Sequence, residues 1–562
     1  MTDATTPNSP IDQVADRFLE AFVELSPTAA TYMGIKGHDH KLPDYSPAGF
    51  DALIELNRRF IAEAQAVQPG SPREEVAKDA FLERLGLGLE TYEAGVPQYQ
   101  LNAIASVPAE IRQVFDLMPT ATDSDWETIA IRLNQVGTAL DGFRDTLIEQ
   151  AAAGRVSALR QVNDLAGRIA SWTGADGDDF FAGLAAQAPE GVKSTVEAAA
   201  ASARKAYDQF GAWLETDLAP QAPTRDAVGR EVYELASRDF LGAAIDLEET
   251  YAWGWEELAR IEDEMQTIAA SLNDGNRSIE AVAELLDNDP ARKIHGKEAF
   301  RDWMQQLADA AVEELAGTHF DIPDAIKRIE CMIAPTSDGS IYYTGPSEDL
   351  TTRPGRMWWA VPNGVEDFAT WREVTTVYHE GVPGHHLQVA QTMLRTDLLN
   401  RWQRIGCWVS GHGEGWALYS ERLMEELGYL EEPGARLGML DAQAFRSARV
   451  IIDIGMHLEL EIPRDNPFGF HPGETWNAEL GFEFLRAHSR METEFLKAEL
   501  NRYLGWPGQA PSYKVGERIW LQAREEAKQR KGSAFDLQTF HRDALNLGSI
   551  GLDPLRRALG RL

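Results

Sequence analysis

Apolar positions recur every three to four residues over most of the first 320 positions of the chain. "NSPIDQVADRFLEAFVEL" puts Ile11, Val14, Phe18 and Phe22 on one stripe, with Ser9 at a helix N-cap position and Pro10 just inside it. "SPREEVAKDAFLERL" repeats the device, because Ser71 and Glu74 have capping-box spacing and Pro72 opens the helix. The same period runs through residues 125–152, 189–216, 247–271 and 297–316, broken by Gly, Pro or Asp-rich punctuation. Near residue 320 the pattern changes. "HFDIPDAIKRIECMIAP" and "SDGSIYYTGPSEDLTTRPGRMWWAVP" carry short β-leaning runs between Pro and Gly, which predicts a few strands or a small sheet. The helical period returns over 366–396, 412–428, 440–460, 475–504 and 513–530. The expectation is a mostly α protein with a small β element. Residues 1–320 form a helical region and 321–562 a second region, with a soft boundary and one core open to both.

Composition narrows the partners. At 562 residues the chain exceeds what one simple core usually supports. Lys and Arg total 53 against 89 Asp and Glu, a formal charge of −36, so nucleic acid and acidic membrane faces are poor partners. Two cysteines, Cys331 and Cys407, cannot make a disulfide framework, and the opening "MTDATTPNSPIDQ" lacks the charged and apolar regions of a secretory signal. Cytoplasmic residence is the expectation, and no stretch approaches the roughly 18–20 apolar residues of a membrane span.

The chemistry concentrates in "VYHEGVPGHHLQ", residues 377–388, where three of the twelve histidines fall within eight residues beside Glu380. Two His four apart on a helix lie roughly 40° and 6 Å from each other, so both rings reach one ion. Here the second and third His follow His379 by six and seven residues. On a straight helix these lie about 9 and 10.5 Å along the axis, too far for two nitrogens that must approach within about 4 Å. Pro383 removes an N–H and crowds the preceding turn, while Gly384 tolerates unusual angles, so the helix bulges or breaks there. Taken as a two-residue insertion, Pro383-Gly384 restores the order of a zinc motif and makes His385 the second ligand, with its neighbour His386 the alternative. The ordinary reading, a polar cluster at a helix end, leaves the helix distortion uncompensated.

A hydrolytic zinc site uses three protein ligands and leaves the fourth position to water. Glu414, in "GHGEGWALYSERLMEELG" and 29 residues beyond His385, is the best third ligand, with room for a loop and a return helix. Glu421, seven further on, is placed to orient a His ring. His412, before that helix, is a cleft residue or a ligand in its own right, and Gln388 is a further supporting candidate.

Together, "HEGVPGHHLQ", "EGWALYSERL", "RVIIDIGMH", "PGQAPSYKVGERI" and "FDLQTFHRDAL" resemble, in order, a bacterial family named only as domain of unknown function eight-eight-five. The early "TYMGIKGHDHKLPDYSP" extends the likeness towards the N-terminus. That family is grouped with gluzincin-type zinc metallopeptidases, whose third ligand is a Glu. The resemblance implies a large helical peptidase-like fold with a deep cleft, zinc on His379, His385 and Glu414, and Glu380 as base. This chain departs from the family at "GMHLELEIPRD", where relatives carry a Trp-rich segment.

The chemistry expected is hydrolysis of short peptides by a zinc-activated water, with Glu380 moving the proton. Tyr513 and His457 are the candidate donors to the developing oxyanion, against ordinary roles in packing and in the core. Tyr342 and Tyr343 sit where an edge strand would pair with an extended substrate, and His386 where it would touch one. Arg446 and Arg449, three apart on one helix, could bind a peptide's terminal carboxylate or form an internal salt bridge. Hydrolysis of another amide or ester, and a helical binding protein with a vestigial motif, are the competing functions. Retention of Glu380 argues against the second. The sequence sets neither the oligomeric state nor exo- against endo-action.

Overall fold

A computed structural model describes residues 7–334, 341–362 and 364–561. The fold is mostly helical with two small sheets. Ser337–Ser340 of the second β-leaning run lie outside the described residues.

The helices begin where their caps predict. In Pro10–Leu25 the Asp12 carboxylate accepts the Ser9 backbone N–H at 2.9 Å, and in Pro72–Glu93 the Ser71 hydroxyl accepts the Glu74 N–H at 3.3 Å. Asp12 is buried and also takes Arg73 and Asn400, so the N-terminal helix is tied both to its neighbour and to the chain beyond the His motif. Residues 125–152 are two helices, Asp123–Leu133 and Val136–Ala152, parted at Asn134 and Gln135. The stretch 475–504 likewise divides, into Ala478–Ala487 and Thr493–Gly505. Periodicity continues across both interruptions because each pair of helices turns its apolar face to the same core.

One core dominates and draws on both sides of residue 320. Ile11, Phe18, Phe81, Trp255, Trp371, Trp416, Ile451 and Leu559 all belong to it, while a satellite core over residues 45–218 packs the N-terminal helices among themselves. Leu247–Leu272 lies along Pro433–Leu458, and Ser410–Glu426 lies along Ser512–Lys531. The predicted β element is a three-stranded sheet in which Gly355–Trp359 is central. It pairs in parallel with Ile329–Ile333 and antiparallel with the edge strand Tyr342–Thr344. A second pair joins Lys293–His295 to Asp367–Ala369, immediately before the helix that carries His379. Among the described residues no helix is long and apolar enough to cross a membrane.

Glycines set the approach of the two helices behind the site. A Cβ at Gly516 would lie 2.1 Å from the Gly411 carbonyl oxygen, and one at Gly415 would lie 2.4 Å from the Gly516 carbonyl carbon. Both obstacles are backbone, which a rotamer change cannot clear. Gly516→Ala should therefore destabilise by at least the upper end of the about 1–3 kcal/mol typical of overpacking. Gly167→Ala, inside Leu159–Trp172 and with no described atom beyond the local helix backbone within 4 Å of its Cβ position, should instead stabilise by about 0.5–1 kcal/mol. Urea midpoints of the two variants check the contrast, and equal midpoints would show that the helices do not touch at Gly516.

Candidate metal centre

The helix predicted over 366–396 is interrupted at the His motif. Thr370–Glu380 ends after the His379-Glu380 pair, His385–Leu394 starts a new helix, and residues 381–384 form the connection. The Val382–Pro383 peptide is cis. Gly384 passes so close to the first helix that a Cβ would lie 1.9 Å from the His379 carbonyl oxygen. Its own N–H donates to the Tyr378 carbonyl at 3.0 Å, and the His386 N–H donates to the Gly381 carbonyl at 3.0 Å. The carbonyl of Pro383 accepts the Trp416 indole N–H at 2.8 Å from the return helix Ser410–Glu426. The break is thus hydrogen-bonded on both sides.

Folding the chain this way places one ligand atom each of His379, His385 and Glu414 within 4.8 Å of one another. Glu414 Oε2 lies 3.4 Å from Nε2 of both His379 and His385. That is too long for a strong hydrogen bond, and close to the edge of about 3.3 Å expected of a tetrahedron with bonds of about 2.0–2.1 Å. Glu414 Oε2 and Glu380 Oε2 are both buried without a hydrogen-bond partner among the described residues. Buried carboxylate oxygens are normally satisfied, so two beside two imidazoles fit a cation and its water.

His379 stands between two carboxylates of the return helix. Glu414 and Glu421 are seven residues apart, about 10.5 Å along its axis, and the imidazole fills the gap. Nδ1 donates to Glu421 Oε1 at 2.7 Å, which leaves the Nε2 lone pair facing Glu414. Glu421 is fixed in turn by the Thr375 hydroxyl at 2.6 Å. Burial opposes charge on His379, yet Glu414 and Glu421 raise its pKa to about 9. The same field favours a metal ion. Burial would lift Glu414, but His385 and His379 hold it well below the usual carboxylate range. Glu380 is raised by burial, and the two imidazoles offset only part of the shift.

The His385 ring is held by packing, between Tyr343 at 6.5 Å and Trp408 at 6.2 Å, since its Nδ1 is buried without a partner. His386 turns away from the triad. Its Nε2 faces the Ile326 carbonyl at 2.8 Å and must donate, so Nδ1 accepts the Tyr343 hydroxyl at 2.9 Å. Burial lowers its pKa to about 4, keeping it neutral. Neither His386 nor Tyr343 therefore presents a free polar group to a substrate. Together they pin the sheet to the motif, and Gly355 leaves them room, since a Cβ there would lie 2.1 Å from the Tyr343 hydroxyl.

Other sequence candidates are sorted by their partners. Tyr513 is half-buried in the site, its ring 5.7 Å from the Arg446 guanidinium and 5.1 Å from that of Arg449, and it feels the charge of Glu414. Tyr342 is 40 % exposed on the edge strand, stacked on Trp358. Arg449 donates to the Tyr503 hydroxyl and the Glu499 carboxylate, at 2.7 and 2.8 Å, which makes it the internal salt bridge and not a free anion site. His457 is fully buried in the last turn of Pro433–Leu458. It bonds the Tyr503 carbonyl at 3.0 Å and packs on Tyr233, so its ring does not join the triad. His412 donates from Nδ1 to the Ile550 carbonyl at 2.7 Å and packs on Trp520, outside the metal group. Gln388 is buried, with no hydrogen bond to the triad among the described residues. Three participants were not singled out from sequence. Thr375 and Trp416 act through bonds visible only in three dimensions. Trp408 is 50 % exposed beside His385, and Gly413 leaves space for its ring. The Gly before Glu414 in "GHGEGW" is the one local signal of it.

Among solved structures, the "putative lipoprotein" of Colwellia psychrerythraea is 21 % identical with a TM-score of 0.81, covering 99 % of both chains. The "putative lipoprotein of unknown function" of Shewanella oneidensis is 18 % identical with a TM-score of 0.75, covering 98 % of this chain and 99 % of that one. Both likenesses show the fold alone. A carboxypeptidase of Pyrococcus furiosus follows at 11 % identity and a TM-score of 0.42, covering 99 % of each chain, a level that carries no argument. No curated protein matches the sequence. The family model described as bacterial protein of unknown function (DUF885) matches residues 27–559, nearly the whole chain, and the protein belongs to that family.

Proposed function

We propose that this protein is a zinc-dependent peptidase acting on short peptides. The carrying observation is the triad, His379, His385 and Glu414, beside a buried Glu380 carboxylate oxygen that has no hydrogen-bond partner among the described residues. Three ligands with a neighbouring base are the donor set of a hydrolytic centre, not of a closed structural one. A zinc ion held there would supply Lewis acidity to water and to a peptide carbonyl. Glu380 accepts the proton of the attacking water on Oε2 and returns it to the leaving amine, a cycle suited to a carboxylate whose pKa burial has raised. The Tyr513 hydroxyl donates to the carbonyl oxygen as negative charge develops on it. Glu421 fixes the tautomer and orientation of His379. The edge strand Tyr342–Thr344 pairs on one side with Gly355–Trp359, has no second strand partner among the described residues, and offers that side to an extended peptide. Residence in the cytoplasm is part of this reading, supported by the two buried, unpaired cysteines.

Purified protein should carry about one zinc per chain by elemental analysis, with anomalous scattering placing it on the triad. His385→Ala should lose it, whereas His386→Ala should keep the metal and lose thermal stability. The reverse pattern would overturn the ligand assignment. Glu421→Gln should weaken zinc binding by about 10–100-fold in competition with a chelator, and unchanged affinity would remove it from the support of His379. Glu380→Gln should retain fold and zinc and lower the rate on short peptides by about 10²–10⁴-fold. A panel of peptides, esters and non-peptide amides separates peptidase from other hydrolase action.

A further inference from the structure

Beside the triad lies a cluster of three arginines, Arg446, Arg449 and Arg502, in a protein whose overall charge is −36. Two of them are satisfied. Arg449 and Arg502 share the Glu499 carboxylate, and Arg502 also reaches Gln509. Arg446, one helical turn before Arg449 on Pro433–Leu458, is different. Its Nε is buried without a partner, and no hydrogen bond is formed by its terminal nitrogens among the described residues. Its nearest carboxylate is Glu421, with Nη2 3.9 Å from Oε1, beyond hydrogen-bonding distance. Glu421 is already taken, accepting from His379 and from Thr375. The Arg446 guanidinium lies 5.7 Å from the centre of the Tyr513 ring, which places it beside the phenol proposed as oxyanion donor. Its side chain keeps 17 % of its surface accessible.

An arginine with unused donors in a partly desolvated site is a receptor for a planar anion. The geometry points to Arg446 as the subsite that captures the free C-terminal carboxylate of the peptide, making the enzyme a carboxypeptidase. The inference rests on the peptidase reading and specifies its substrate. Distance sets how much is released. Nη2 of Arg446 and Nδ1 of His379 approach the same oxygen of Glu421, which holds Nη2 within about 9 Å of His379 Nε2. That upper bound has room for a charge-assisted contact of about 2.8 Å and one residue of roughly 3.3–3.6 Å. A second extended residue does not fit. In the reaction the C–N bond of the last residue breaks and a C–O bond to water forms. The proton passes through Glu380 to the new amine, and the carboxylate on Arg446 stays ionised throughout.

The test uses the zinc-loaded full chain and matched tetrapeptides with free or amidated C-termini, read by mass spectrometry. The same peptides are titrated calorimetrically onto the zinc-loaded Glu380→Gln variant. The wild type should prefer the free acid by about 10²-fold in kcat/KM and release single C-terminal residues, and the Glu380→Gln variant should show the same preference in affinity. Arg446→Ala should abolish the preference while zinc content stays at the wild-type level, and Arg446→Lys, which keeps the charge near Glu421, should recover part of it. Equal handling of acid and amide by the wild type would overturn carboxylate capture and leave the peptidase reading intact. An equal loss on both peptides in Arg446→Ala would overturn it too, assigning Arg446 to the oxyanion or to Glu421. Failure to cleave or bind either peptide would overturn both readings.

Discussion

Gly384 runs against the end of the preceding helix, where a Cβ would stand 1.9 Å from the His379 carbonyl oxygen. This contact lets a chain with His six residues apart present both rings to one point. The backbone doubles back, the connection consumes Pro383 and Gly384, and His385 starts a new helix beside the end of the old one. The Trp416 indole holds the Pro383 carbonyl exposed by the turn, which anchors the return helix and so places Glu414. Ligand geometry and helix packing are therefore one arrangement. A side chain at 384 would disturb both, and one at Gly516 would push on the return helix from behind.

The electrostatics work at short range and against the average of the molecule. A net charge of −36 describes the surface, while the interior around the triad alternates in sign within a few ångströms. Glu414 and Glu421 hold the His379 ring from its two nitrogens, and Arg446 stands behind Glu421. Each group is buried at a cost that its neighbour offsets. Among the exceptions are polar atoms without partners among the described residues, including Glu380 Oε2, Glu414 Oε2, His385 Nδ1 and Arg446 Nε. Unsatisfied groups of this kind cost about 1–3 kcal/mol each, and here they converge on one place. The fold bears that cost beside a rigid pair of helices and a sheet pinned by Tyr343 and His386.

Much of the architecture was legible in the order of residues, because caps, proline positions and apolar periodicity are local. Ser9 and Ser71 start their helices as their spacing predicts, and the β-leaning runs form the small sheet beside the motif. The interruption at Pro383-Gly384 was legible for the same reason, since a missing N–H and a missing Cβ act on the next turn of chain. Periodicity failed where two helices share one apolar face. Residues 125–152 and 475–504 each read as one unbroken helical period and form two helices.

The sequence by itself determined the helical class, the break in the motif and a short set of candidate metal ligands, with His385 and His386 both open as the second. Tertiary structure decided which candidates meet. Arg446 and Arg449 look alike three residues apart, yet Glu499 arrives from a distant helix to bond one and leaves the other with only a 3.9 Å approach to Glu421. His385 and His386 are neighbours, yet the carbonyl of Ile326 and the hydroxyl of Tyr343 claim only the second. His457 lies on the same helix as Arg446, yet the Tyr503 carbonyl holds it in the core. The physical reason is common to all three pairs. A side chain's local propensity is fixed by its chemistry, but whether its polar atoms remain available depends on partners dozens of residues away, which only the packed chain brings within hydrogen-bonding distance.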